Sequence, residues 1–190
     1  MSYISSKANR FYTGRESAFG QVAAITAADR IPAVKLAIRQ RFGTAERKDK
    51  TGSRTFAGHP PGGRRRTQFE LDTYMTSWTD PQRPPAYGPL FQACLGGAPL
   101  ISAGGTVAAG TGGTTLVYEA PHGLAPGQAV AFGGEIRFVA AVVNATTVRL
   151  NAPFSATPGV GSAVGPTCSY MPATELPSAS IFDYWSPATA

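Results

Sequence analysis

Pro32-Ala33-Val34-Lys35-Leu36-Ala37-Ile38-Arg39-Gln40-Arg41 and Thr67-Gln68-Phe69-Glu70-Leu71-Asp72-Thr73-Tyr74-Met75 are the two stretches on which the fold turns. In the first, Val34, Leu36 and Ile38 alternate with Lys35, Ala37 and Arg39, and the polar side continues through Arg41. In the second, Phe69, Leu71, Thr73 and Met75 alternate with Gln68, Glu70, Asp72 and Tyr74. Strict period-2 alternation is the mark of a strand with one apolar and one polar face. It predicts strands over 33–42 and 67–76. One polar face is cationic and the other acidic, the complementarity expected of cross-strand partners. Residues 43–66 between them are rich in Gly, Pro, Lys and Arg. They read as a basic loop, longer than a hairpin needs and so a candidate for function.

Working outward, residues 1–29 read as an irregular N-terminal arm, with Tyr3, Phe11, Tyr12 and Phe19 set to lie against a neighbouring surface. After the proline-rich Asp80–Pro85, Pro89 suits a first helical turn and Gly96 a stop. These predict a short helix over 89–95 with Leu90, Phe91, Cys94 and Leu95 as its buried stripe. Residues 98–165 change character, with short alternating runs at Thr115–Glu119, Gln128–Phe132, Ile136–Val143 and Thr147–Leu150 between Gly- and Pro-marked turns. They predict a small antiparallel β module, a barrel or sandwich, with 157–166 as its exit linker. Cys168–Pro187 then regains bulk, with Tyr170, Met171, Ile181, Phe182, Tyr184 and Trp185. The run Ile181-Phe182-Asp183-Tyr184-Trp185 either docks on an earlier sheet, packs on a partner, or belongs to a longer product.

Composition narrows the class. The chain has 190 residues, 43% hydrophobic and 15% charged, with 22 Gly and 16 Pro, which excludes coiled coils and helical repeats. No apolar stretch approaches the ~18–20 residues of a membrane span, and Met1–Arg10 has no secretory apolar segment. The expectation is a β-rich chain made in a cytoplasm. Cys94 and Cys168 lack the closer or more numerous Cys and His neighbours normal for a disulfide framework or metal site and read as reduced, semi-buried fillers. His59 and His122 sit in loop-like sequence and read as structural.

The net charge is +6, unevenly spread: 15 of 17 basic and 7 of 11 acidic residues fall in 1–90, giving that part +8 and the remainder −2. The excess concentrates in Arg47, Lys48, Lys50, Arg54, Arg64, Arg65 and Arg66. Such a cluster suits phosphates, or an acidic protein partner, or another copy of the chain. It lacks the interleaved aromatics of a single-strand binding surface. No nucleophile elbow, phosphate loop, zinc motif or paired-carboxylate arrangement is present. Asp29, Glu70 and Asp72 read as solvated carboxylates, and no catalytic, metal or cofactor site is expected. This sequence does not read as an enzyme.

Arg30–Lys35, Lys50–Arg54, Arg64–Tyr74 and Ala86–Gly97, with Ser180–Pro187, occur in an order that resembles the tail tube proteins of long-tailed bacteriophages. The likeness lies in a Gly-containing basic loop, a strand of the Phe69–Tyr74 kind and a short following helix, over about half of the chain. It implies a β-sandwich or barrel with a flanking helix, built from 30–97 and 166–190 with 98–165 as a small inserted β domain, a virion-tail location and no cofactor. It also implies homo-hexameric rings stacked into a tube, contacts with other tail proteins, and viral double-stranded DNA passing through without specific binding or membrane contact. On this reading the seven basic residues from Arg47 to Arg66 make inter-ring contacts, while Glu70 and Asp72 face the lumen. The resemblance further implies additional strands after Trp185. Another tail ring component is the nearest alternative. A glycan-binding decoration module built on 98–165 and a basic nucleic-acid-binding protein are the others.

Overall fold

The computed structural model describes residues 8–44, 61–76, 78 and 80–185, the side chains at 42–44 and 61–65 excepted. The fold is mainly β, with one α-helix among the described residues. Strand β1 (Arg10–Arg15) is the centre of a three-stranded antiparallel sheet between β2 (Arg30–Ile31) and the last strand, β13 (Ala179–Tyr184). The 1–29 region therefore departs from its reading as an irregular arm. Phe11, Thr13 and Gly14 of β1 are buried, and the strand gains its order from β13, far along the chain, which local periodicity does not register. The same pairing sets Phe11 opposite Asp183 and Tyr12 opposite Phe182, so the aromatic run docks on an earlier strand. Between β1 and β2 the chain makes a turn over 16–22 and one 3-10 turn, Ala27–Asp29. The Asp29 carboxylate accepts the Thr26 N–H at 2.7 Å there, which accounts for this acid locally.

Strand β3 (Ala33–Thr44) pairs antiparallel with β4 (Pro61–Thr73), at the two stretches that opened the reading. Both strands run further into the basic segment than expected, so Gly43–Thr44 and Pro61–Arg66 are strand rather than loop. Helix α1 (Gly88–Leu95) begins with proline in its first turn and ends at Gly96, whose φ of 93° only glycine adopts readily. Its buried residues are Gly88 and Gln92, not the stripe expected; Cys94 is exposed. A Cβ on Gly88 would lie 2.3 Å from the Tyr170 hydroxyl, so the helix start packs there on its missing side chain. Phe91 instead stacks on Tyr170, ring centres 5.8 Å apart.

The inserted module is entered by β5 (Leu100–Ser102) and β6 (Gly105–Thr106) and left by β11 (Ala163–Val164) and β12 (Thr167–Ser169). β6 pairs with β11 and β5 with β12. Between them β7 (Thr115–Val117), β8 (Ala129–Phe132), β9 (Glu135–Asn144) and β10 (Thr147–Leu150) form one sheet in the order β7-β10-β9-β8. These four match the expected strands to within a few residues. Bridges Val107–Tyr118 and Ala131–Gly165 carry the ladder round both sides, so the sheet curls on itself. The stretch expected as an exit linker contains β11, and Val164 joins Leu116, Val130, Val139 and Val148 in the module's core. Small apolar residues at alternating positions fill the inside of so tightly curled a sheet.

Candidate assembly surface

The β3–β4 ribbon is a two-stranded sheet by itself. Antiparallel register places directly opposite residues on one face. Ile38 opposes Phe69 and Leu36 opposes Leu71 on the apolar face. Lys35 opposes Asp72, Ala37 opposes Glu70, Arg39 opposes Gln68 and Arg41 opposes Arg66 on the polar one. The expected cross-strand complementarity is thus realised at Lys35–Asp72. It reverses toward the far end, where two arginines face each other.

What is unusual is the apolar face. Ile38 is 59% and Phe69 60% exposed, and Val34 and Met75 are exposed on the same side. Scattered exposed apolar residues are ordinary, but a contiguous apolar sheet face marks an interaction surface. Among the described residues nothing pairs with the outer edge of either strand. An isolated two-stranded ribbon is at best marginally stable in water, and open edges invite further strands.

The seven basic positions separate. Arg47, Lys48, Lys50 and Arg54 lie outside the described residues. Arg64 and Arg65 fall in β4, and Arg66 is exposed on the same face as Glu70 and Asp72. Carboxylates for a lumen and arginines for protein contacts therefore do not occupy different faces at this point. The described polar face carries Lys35, Arg39, Arg41 and Arg66 against two acids, rather than an all-acidic lining.

Two further features left no periodic signal in the sequence. Phe19 is 95% exposed on the 16–22 turn, which is held by Gly20 N–H to the Glu16 carboxylate at 2.9 Å and Gln21 N–H to the Ala18 carbonyl at 3.0 Å. Hydrogen bonds from Ser178, then Ser180 and Gly20, hold the Glu16 carboxyl below its usual range. The second is an apolar groove of about 330 Å³ lined by Met75, Trp78, Tyr87, Phe91, Ile136 and Tyr170 among others. Burial pushes the Tyr170 hydroxyl and the Cys168 thiol beside it upward, so both are protonated at neutral pH.

His122 has a structural task. Its Nδ1 accepts the Leu124 N–H at 2.8 Å, which leaves Nε2 to donate to the Asn144 carbonyl at 3.0 Å. His59 lies outside the described residues. Among the described residues no group of three His, Cys, Asp or Glu side chains is placed to hold a metal, and no helix is long and apolar enough to cross a membrane. No protein-family model matches the chain, and no curated protein or solved structure is significantly similar to it.

Proposed function

We propose that this chain is a structural subunit that assembles with copies of itself into rings, of the kind that stack as the tail tube of a long-tailed bacteriophage. One observation carries the reading: a long ribbon whose outer edges pair with nothing among the described residues and whose apolar face is exposed at Ile38 and Phe69. Joining ribbons edge to edge satisfies the open backbone groups and removes the edges altogether once a ring closes. The uncovered apolar side chains then pack in the assembly instead of facing water. The inserted module has its own core and stands as an appendage to this scaffold. DNA passes through such a ring without a sequence-reading surface, and no catalytic step or cofactor is required.

The test is negative-stain electron microscopy with analytical ultracentrifugation across a wide concentration range. Hollow rings or tubes with a bore wide enough for a DNA duplex support the proposal. Rings that never stack favour a tail-end, adaptor or baseplate ring over the tube itself. Monomers at every concentration overturn self-assembly.

A further inference from the structure

The charges of the ribbon are mismatched within one chain. Arg41 stands opposite Arg66, and Glu70 stands opposite the neutral Ala37. Like charges directly opposite destabilise a strand pair, and opposite charges stabilise it. Pairing between copies can give both carboxylates and Arg41 partners of opposite charge. We propose that copies join head to tail, β4 of one beside β3 of the next, in a register shifted by four residues from the one inside the ribbon. Glu70 then stands opposite the next copy's Arg41, and Asp72 opposite its Arg39. This rests on the assembly reading above and adds the pairing that sets its register.

The alternatives are few, because an odd shift would turn every apolar side chain to the wrong face. With no shift, Arg66 meets the next copy's Arg41 and the repulsion inside the ribbon repeats across the interface. A shift of two in the same direction pairs Glu70 with Arg39 and leaves Asp72 opposite Ala37. A shift of two the other way pairs Glu70 with Lys35 but sets Arg66 against Arg39. The shift of four matches both carboxylates and carries Arg66 past Thr44, the end of β3. Asp72 then lies between its own Lys35 and the next copy's Arg39.

A two-fold contact of β4 with β4 also matches charge, by placing residue 66 opposite residue 70. It leaves the β3 edge with Lys35, Arg39 and Arg41 uncovered and stops at a dimer. The head-to-tail contact uses both edges of every copy and so propagates until a ring closes.

The experiment uses the full chain with Cys94→Ser and Cys168→Ser, and single cysteines that leave the charges in place. Chains carrying Gln40→Cys are mixed with chains carrying Leu71→Cys, Phe69→Cys or Thr67→Cys, which report shifts of four, two and zero. A thiol cross-linker spanning about 5 Å reaches only directly opposite positions. The expected result is efficient cross-linking of Gln40→Cys with Leu71→Cys, several-fold above the other two mixtures. A stronger product from either of those, or from Thr67→Cys with Phe69→Cys as the β4–β4 contact requires, overturns the register. Charge reversal gives a second readout. Glu70→Arg raises the concentration needed for assembly at least tenfold, and adding Arg41→Glu to the same chain restores it. No recovery in the double variant overturns the pairing. A parent chain that assembles but cross-links elsewhere defeats the register alone, whereas a parent that stays monomeric defeats the assembly reading with it.

Discussion

Thr13, in the centre strand of the three-stranded sheet, donates its hydroxyl to the carbonyl of Ala86 over 2.7 Å, joining positions 73 residues apart. Thr13 is fully buried. This bond fastens the start of helix α1 to the sheet that the two ends of the chain build together. Thr13→Val keeps the shape and leaves the Ala86 carbonyl without its donor, at a cost of about 1–3 kcal/mol. Urea unfolding followed by tryptophan fluorescence should show a lower midpoint with an unchanged slope. An unchanged midpoint would mean that the bond contributes nothing net.

The reason for Gly96 and Gly97 is packing. The segment after β12 crosses the end of α1, where Gly97 N–H donates to the Met171 carbonyl at 3.0 Å and Ala173 N–H to the Leu95 carbonyl at 2.7 Å. A Cβ on Gly97 would sit 2.2 Å from that Met171 oxygen, an overlap with backbone that no rotamer relieves. Gly97→Ala should therefore destabilise by about 1–3 kcal/mol, the range for overpacking. Amide exchange would show protection lost first at Gly97 and Ala173. Full protection there would show that the crossing segment simply shifts.

Tyr118 reports on the core of the inserted module. It is buried beside Val107, and burial alone pushes its hydroxyl from 10 up to about 12. The unfolded chain loses this proton near pH 10 while the folded one keeps it. The stabilisation is therefore complete below about pH 10 and is lost as pH rises toward 12. Two pH units correspond to on the order of 2–3 kcal/mol. Thermal melts of the parent from pH 9 to 12 should fall more steeply than those of Tyr118→Phe. Parallel slopes would show that this hydroxyl reaches water in the folded state.

The ribbon and the inserted module were legible because alternation is local: Val34–Ile38 and Phe69–Leu71 announce their faces within a few residues, and Val130, Val139 and Val148 do the same. The sheet made by β1 and β13 was not. Arg10–Arg15 contains Thr, Gly and two arginines around two aromatics, a composition that becomes a centre strand only when Ala179–Tyr184 arrives beside it. The helix position followed from Pro89 and Gly96, but its buried face did not. That face is set by where Tyr170 meets Gly88, a contact between segments 82 positions apart in the chain. The assembly surface was half visible. Charge complementarity between the two strands could be read, while the Arg41–Arg66 opposition depends on register, which only the paired structure supplies.

The apolar face of the ribbon separates folding from assembly. Ile38 and Phe69 oppose each other and are each about three-fifths exposed in the single chain. Replacing either with lysine removes little packing there, so Ile38→Lys and Phe69→Lys should shift monomer stability by no more than about 0.5 kcal/mol, as surface substitutions usually do. In an assembly the same side chains become buried, and an unpaired ammonium in that position is strongly unfavourable. Ultracentrifugation should show each variant as a folded monomer at concentrations where the parent chain forms large particles, with unchanged far-ultraviolet circular dichroism. Val143→Lys, on the inserted module and 58% exposed, is the matched control. It adds the same charge away from the ribbon and should assemble as the parent does. Loss of assembly in all three would trace the effect to net charge, and retention in all three would remove the ribbon's apolar face from the interface.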